Sequence, residues 1–516
     1  MDYEALLKML APHMIVGLEG PRLAADEKSL LAEYPFAGVI LFDRNVSDAR
    51  RLIELTREIR GIFRELRGTV PLIAADHEGG VISVLARAIG VPPTQMAAAR
   101  TGDRSLCERL FAENARRMRA VGVNMLLGPV ADVNSEHMNP VIGTRSFGED
   151  SREVSSLVSV AVSAARREGV LTCIKHFPGH GPSIVDSHLA LPVLDATLDE
   201  LRKRDIPPFA SGIAAGAEAV MIGHIAPRGR SLPATLDPGI IGDLLRGELG
   251  FGGVAMTDAL EMEGVKVAGL ADICSRALEA GNDILLFSKP VGAALAGLEA
   301  EGESPVWAEL SVKGSAGFLK PSLERIERLL QAAAAKDREF ELPGDPGVYR
   351  EIAEKSIRVQ RGAGEAGHFD PGRGFKLGFY SEKGEFDRFP TMSFVARVLK
   401  GLVPEGEGGV RSAAPGTPTE LSLEPSDEAP LAASNLEGRV FSYAREPHAP
   451  IDVVFLLNRR PLVGEIVLEL STGVPAVVIA GWPYAVDFVA TGTMTAVTHG
   501  VYDAAAEAVC SILRNP

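Results

Sequence analysis

Eight short, unbroken apolar runs recur through the first 290 residues, at 14–18, 38–42, 71–75, 124–130, 170–174, 219–223, 253–257 and 283–287. A run of this kind suits a strand buried on both faces, because an antiparallel strand with one wet face alternates instead. Between the runs lie amphipathic stretches with helical spacing, at 48–67, 103–120, 153–168, 198–215 and 240–249. A strand followed by a helix, repeated eight times, predicts an α/β fold, a closed (β/α)8 TIM-type barrel. A doubly wound open sheet is the rival, and one miscounted strand would favour it.

The chain has 516 residues, more than a barrel needs. After a helical stretch at 321–336, residues 339–349 are rich in Pro, Gly and charge and read as a linker. The pattern then restarts, helix-like at 349–359 and 392–402, strand-like at 375–380, 453–457 and 476–480, with a terminal helix at 501–513. The expected division is a barrel domain at 1–338 and a smaller α/β sandwich at 350–516. Within the second, the Gly-, Pro-, Ser- and Glu-rich stretch 404–439 reads as a long exposed loop.

A formal net charge of -15 opposes binding to a phosphate backbone, and no Lys/Arg run interleaved with aromatics offsets it, so no nucleic-acid partner is expected. No apolar run reaches the roughly 20 residues of a membrane span. The first residues carry Asp2 and Glu4 where a secretory leader would be basic, and the apolar stretch 14–18 is too short for its core. The four cysteines, Cys107, Cys173, Cys274 and Cys510, are scattered and form no C-x-x-C pair. A cytoplasmic protein with reduced thiols is expected.

In a barrel the catalytic side chains gather at the carboxyl ends of the strands. Five of the apolar runs end there in ionisable groups: Asp76 after the third, Asp132 after the fourth, Lys175 and His176 after the fifth, His224 after the sixth and Asp258 after the seventh. Each taken alone also suits a helix cap or a satisfied core group. Beyond Lys175-His176, the segment Pro178-Gly179-His180-Gly181-Pro182 enforces a tight backbone path before Asp186-Ser187-His188. Asp186 and His188, two residues apart in an extended loop, can face the same side, and a carboxylate bonded to an imidazole fixes its tautomer for proton transfer. Asp258, on a rigid strand end, has the placement a carboxylate nucleophile requires. Glu261 and Glu263 lie further along and are its nearby rivals.

Four segments together resemble glycoside hydrolase family 3, in particular its bacterial β-N-acetylglucosaminidases (β-hexosaminidases): Lys175-His176-Phe177-Pro178-Gly179-His180-Gly181, Asp186-Ser187-His188, Gly143-Thr144-Arg145-Ser146-Phe147-Gly148 and Met256-Thr257-Asp258-Ala259-Leu260. The resemblance spans about residues 5–335. It implies a retaining, cofactor-free and metal-free enzyme that releases terminal β-N-acetylglucosamine from a small carbohydrate or muropeptide-derived substrate in peptidoglycan recycling. Asp258 would be the nucleophile and Asp186 with His188 the acid/base dyad on a mobile loop. Asp76, Arg145, Lys175 and His176 would hold the sugar, with Asp132 and His224 as further contacts. Long members of the family append an α/β sandwich, as here. The chain departs from the family at Val81 and Val84, where arginines usually follow Asp-x-Glu-Gly-Gly and the second helps bind sugar, and at Pro182, where an aspartate is common.

Three other readings remain open at this level. A phosphorylase of the same family is one, since a histidine acid/base does not repel phosphate as a carboxylate would. A weak or inactive sugar-binding homologue, suggested by Val81 and Val84, is another. The third is a zinc hydrolase drawing ligands from His176, His180, His188, His224 and Asp258, although the short-spaced His pair expected at an early strand end is absent.

Overall fold

The structure, a computed structural model, describes residues 3–185, 190–266, 268–301, 306, 309–310, 312–313, 317–337, 347–360, 375–382, 393–394, 397–398, 436–443, 453–457, 476–480, 483, 494–500 and 502–514. Strand β1 (Met14–Gly17) pairs in parallel with β10 (Ile284–Pro290) on one side, Met14 opposite Leu285, and with β2 (Gly38–Leu41) on the other. Through β3 (Leu72–Ala75), β6 (Met125–Leu126), β7 (Leu171–Phe177), β8 (Ala219–Ile222) and β9 (Val254–Ala259) the sheet closes on itself. All eight apolar runs are strands of this barrel, and the pairing of β1 with β10 excludes the open sheet.

Side chains alternate between two cores along each strand. Ile15, Ile40, Leu72, Ala74, Met221, Met256 and Leu286 fill the barrel interior, while Val16, Val39, Leu41, Ile73, Val220, Ile222 and Phe287 pack outward against the helices. Both faces are dry, which is why the strands read as unbroken apolar runs. The helix Lys320–Ala335 adds Ile326, Leu329 and Ala333 to the interior cluster, at the end where the strands begin. There Asp283, just before β10, is buried between Arg246 and Arg325, each at 2.7 Å.

The stretch expected as one helix at 198–215 is two, Leu198–Arg204 and Pro207–Ala214. Pro207 has no N–H to donate into a preceding turn but suits the first position of a new helix. The break leaves Asp205 buried beneath the barrel mouth. A small hairpin of β4 (His77–Gly79) and β5 (Ile82–Ser83) follows β3.

Beyond the barrel, the helix Gly347–Ser356 begins within the expected linker 339–349 and leads into a six-stranded sheet. Its order is β11 (Arg358–Gln360), β16 (Met494–Val497), β15 (Ala476–Ile479), β14 (Val453–Leu456), β12 (Phe375–Glu382) and β13 (Leu436–Tyr443). The two edge strands run antiparallel to their neighbours and the inner ones are parallel. Residues 436–439, expected to close the long loop, instead begin β13 and pair along β12; the remainder of that loop, and most of the helix expected at 392–402, lie outside the described residues. The terminal helix is Asp503–Arg514. Cys107, Cys173, Cys274 and Cys510 are buried free thiols.

Candidate active site

Two cations and two carboxylates interlock at the barrel mouth. Lys175, near the end of β7, places Nζ 2.5 Å from Asp76 Oδ1 and 2.5 Å from Glu78 Oε1. Arg145, closing the short turn Gly143–Arg145, donates to Glu78 in a fork, Nε to Oε2 at 2.8 Å and Nη2 to Oε1 at 2.9 Å. Glu78 is sealed off, whereas Asp76 keeps 23% of its side chain exposed and so forms the open edge of the cluster. Burial works against ionising Glu78, but Arg145 and Lys175 outweigh it and hold the carboxyl down at about 2. Asp76 lies above its ordinary range, because burial exceeds the pull of Lys175. Lys175 is itself raised, since Asp76 and Glu78 more than offset its burial.

Next to this cluster stands His176, with Nδ1 2.7 Å from Asp132 Oδ2 and Nε2 3.4 Å from Arg145 Nη2. Burial, reinforced by Arg145 and Lys175, lowers its pKa well below the usual value, so the ring is neutral. A neutral ring that donates from Nδ1 to Asp132 presents Nε2 as an acceptor. Asp132 is fully buried and also accepts from the backbone N–H of His176 at 3.1 Å and of His180 at 2.7 Å. Expected as a sugar contact, it instead orients the ring and anchors the loop after β7.

Asp258 lies on β9, with Oδ1 accepting from the Ala259 amide at 2.8 Å. Burial opposes its ionisation, but His224, the Ala259 amide and Lys175 together bring its pKa below the ordinary carboxylate value. His224, also expected to touch sugar, is fully buried with both ring nitrogens engaged, Nδ1 with Thr235 Oγ1 at 2.7 Å and Nε2 with Ala259 O at 2.9 Å. It therefore supports the strand end carrying Asp258, with both of its ring nitrogens taken up within the protein. The rival carboxylates are otherwise occupied: Glu261 accepts from Ser288 and Lys289, and Glu263 pairs with Lys266 on the surface.

The segment after β7 is held from two sides. Asn139 Nδ2 donates to His180 O and Gly181 O, both at 2.9 Å, and its Oδ1 accepts from Val141 and Ile142. Gly181 is needed for closeness, because a Cβ there would fall 1.7 Å from Val133 O. Past Pro182 the chain turns through Ser183, whose hydroxyl donates to Val185 O at 2.7 Å, and Ile184 is exposed. Asp186 and His188 lie outside the described residues. Val81 and Val84 are half-buried against the hydrophobic core, and Val84 N donates to Asp76 O at 3.0 Å.

Glu78, Asn139 and Asp205 were not singled out from sequence. Glu78 had a signal, a second acid two residues after Asp76 at the same strand end. Asn139 had none, and Asp205 was hidden inside what read as one helix.

The geometry has counterparts among known proteins. Residues 4–310 match the model of the glycosyl hydrolase family 3 N-terminal domain. A β-hexosaminidase of Stenotrophomonas maltophilia strain K279a is 35% identical over 285 residues, covering 54% of this chain and 83% of its own. One from Methylococcus capsulatus is 36% identical over 290 residues, covering 55% and 84%. Among solved structures, a family 3 β-N-acetylglucosaminidase from Paenibacillus sp. str. FPU-7 superposes with a TM-score of 0.80 at 27% identity, over 99% of this chain and 96% of that one. With the barrel, its polar mouth and a family match over more than half its length in agreement, the chain belongs to glycosyl hydrolase family 3.

Proposed function

We propose that the chain is a β-N-acetylhexosaminidase that removes terminal non-reducing β-N-acetylglucosamine with retention of anomeric configuration. The observation that carries this reading is Asp258, a carboxylate on the barrel strand β9 with Oδ1 held by the Ala259 amide and with His176 and Lys175 near enough to act on its charge. In the first step the glycosidic C1–O bond breaks as an Asp258 oxygen bonds to C1, and His188, oriented by Asp186, gives its proton to the departing oxygen. In the second, water attacks C1, its proton passes to His188, and the ester bond to Asp258 breaks. Asp76, Lys175, Arg145 and the acceptor Nε2 of His176 grip the sugar hydroxyls. The names of the relatives from Stenotrophomonas and Methylococcus, and of the Paenibacillus structure, support N-acetylhexosamine as the sugar.

The substrate is assigned to muropeptide-derived fragments in peptidoglycan recycling, in the cytoplasm, a setting consistent with four unpaired thiols. Among the described residues, no helix is long and apolar enough to cross a membrane.

A chromogenic N-acetylglucosaminide tests the chemistry. Asp258→Ala should lower turnover by about a thousandfold or more, and cleavage at the wild-type rate would overturn the assignment. Proton NMR of the first product should show the β anomer; an α product would exclude the covalent route. Release of sugar 1-phosphate that depends on added phosphate would identify the phosphorylase instead.

A further inference from the structure

The second domain reaches the barrel at a point that bears on the active site from behind. The turn after β16, Thr498-His499-Gly500, presents the backbone carbonyl of His499 to Thr94 Oγ1 at 2.5 Å. Thr94 also caps the helix Gln95–Arg100, its Oγ1 accepting from Ala97 N at 3.1 Å. The approach is so close that a Cβ on Gly500 would lie 2.3 Å from Thr94 Cγ2. His499 holds φ at 55°, in the left-handed region that a β-carbon disfavours, and is buried with neither ring nitrogen bonded to any described residue. Such a geometry persists only where the surroundings enforce it. Thr498 Oγ1 braces the turn by donating to Gly500 O at 2.8 Å.

On its other side, the segment around Thr94 holds two parts of the barrel mouth. Gln95 grips the backbone of Val130 with both ends of its amide, Nε2 to Val130 O and Oε1 from Val130 N, each at 2.8 Å. Val130 is bridged to Lys175, the following residue bonds Lys175 O at 2.7 Å, and Asp132 then orients His176. Pro92 O accepts from Gly80 N at 2.9 Å, which secures the hairpin that carries Glu78. The first grip acts on the strand end that carries Lys175 and His176, the second on the hairpin whose Glu78 bonds Lys175 and Arg145, and both originate within four residues of the contact with the second domain.

We propose that the turn 498–500 of the second domain is a positioning element of the active site, acting through Thr94 and Gln95 on Val130 and through Pro92 on Gly80. None of its atoms needs to touch substrate. Its role is to fix the backbone from which Lys175, His176 and Glu78 project, so the second domain contributes to sugar binding without lining the mouth.

The test uses the full-length chain carrying Gly500→Ala, read first by amide hydrogen exchange, which requires no turnover. The Val130 and Gly80 amides should exchange about tenfold faster than in wild type, while β8 and β9 across the barrel keep their rates. Adding Thr94→Ser, which deletes Cγ2 and keeps the hydroxyl, should restore part of the protection. Faster exchange confined to residues 92–100 and 494–500 would overturn the proposal. Should alanine at 500 prevent folding, Thr94→Val, which keeps the side chain's shape but removes its hydroxyl, provides the same reading. The kinetic arm rests on the proposed glycosidase activity. Gly500→Ala and Gln95→Leu should each raise KM about tenfold with little change in kcat, and because they share the route through Val130 the double variant should fall well short of the product of the two effects. Unchanged KM with only a lowered Tm, or effects that multiply, would also overturn the proposal, whereas an inactive wild type with altered exchange at Val130 would count against the activity alone.

Discussion

Glu78 is the residue on which the charge balance of the mouth depends. It meets both Arg145 and Lys175 while excluded from water, so neutralising it takes away the carboxylate to which Arg145 is bonded and leaves Lys175 with Asp76. Removing one partner of a buried ion cluster costs about 3–5 kcal/mol, because the remaining charges lose their compensation. Glu78→Gln should show a loss of this size in urea unfolding together with a raised KM; a loss well below about 1 kcal/mol would mean that water reaches the cluster. Asp205 supplies a pH signature of opposite kind. Burial pushes its carboxyl up to about 7 despite the opposing pull of Arg204, whereas an unfolded aspartate titrates near 3.9. The folded chain therefore keeps a proton that the unfolded chain has already released. The associated stability is fully present below about pH 4 and is lost as the pH rises through 7. Asp205→Asn cannot ionise, so its Tm should fall less between pH 4 and 8 than that of wild type; parallel profiles would show that Asp205 titrates normally.

At the level of elements, β7 and the helix behind it set the position of the segment that follows Phe177. Phe177, at the end of β7, meets Phe209 of the helix Pro207–Ala214 edge-on, with centroids 5.2 Å apart and both rings fully buried. Phe209→Ala should cost about 3–5 kcal/mol, the usual penalty for deleting a packed ring, measured as a fall in the urea midpoint. The barrel strands were legible in the sequence because burial on both faces leaves a continuous apolar run, and the strand ends then directed attention to Asp76, Lys175, His176 and Asp258. Residue type at a strand end does not reveal which way the side chain is turned, however. Asp132 and His224 were accordingly read as sugar contacts although both are turned into protein. The hairpin of β4 and β5 is too short to produce a periodicity. Strand β13 starts directly after a Gly- and Pro-rich stretch whose composition masked its first residues, and β16 is a four-residue strand set among threonines and glycines.

Across the whole molecule, the two domains are joined by more than a linker. The helix Gly347–Ser356 packs on the barrel helices Gln95–Arg100 and Arg104–Ala120, with Arg117 over the ring of buried Tyr349 at 5.4 Å. Arg358 Nη2 donates to Arg100 O at 2.8 Å, beside the Thr94 contact. Contacts of this kind, apolar at the centre and bonded at the edge, should make the domains unfold together. A single calorimetric transition is expected, and two well-separated ones would show that the interface contributes little. The Thr94–His499 bond also spans 405 positions of the chain, which orders events during synthesis. The barrel can close once β10 has left the ribosome, but His499 emerges some 200 residues later, roughly 10–40 s at about 5–20 residues per second. Through that interval a nascent chain has its barrel strands complete while the turn that meets Thr94 is still being made, so a message broken before residue 498 would yield barrel strands without that contact.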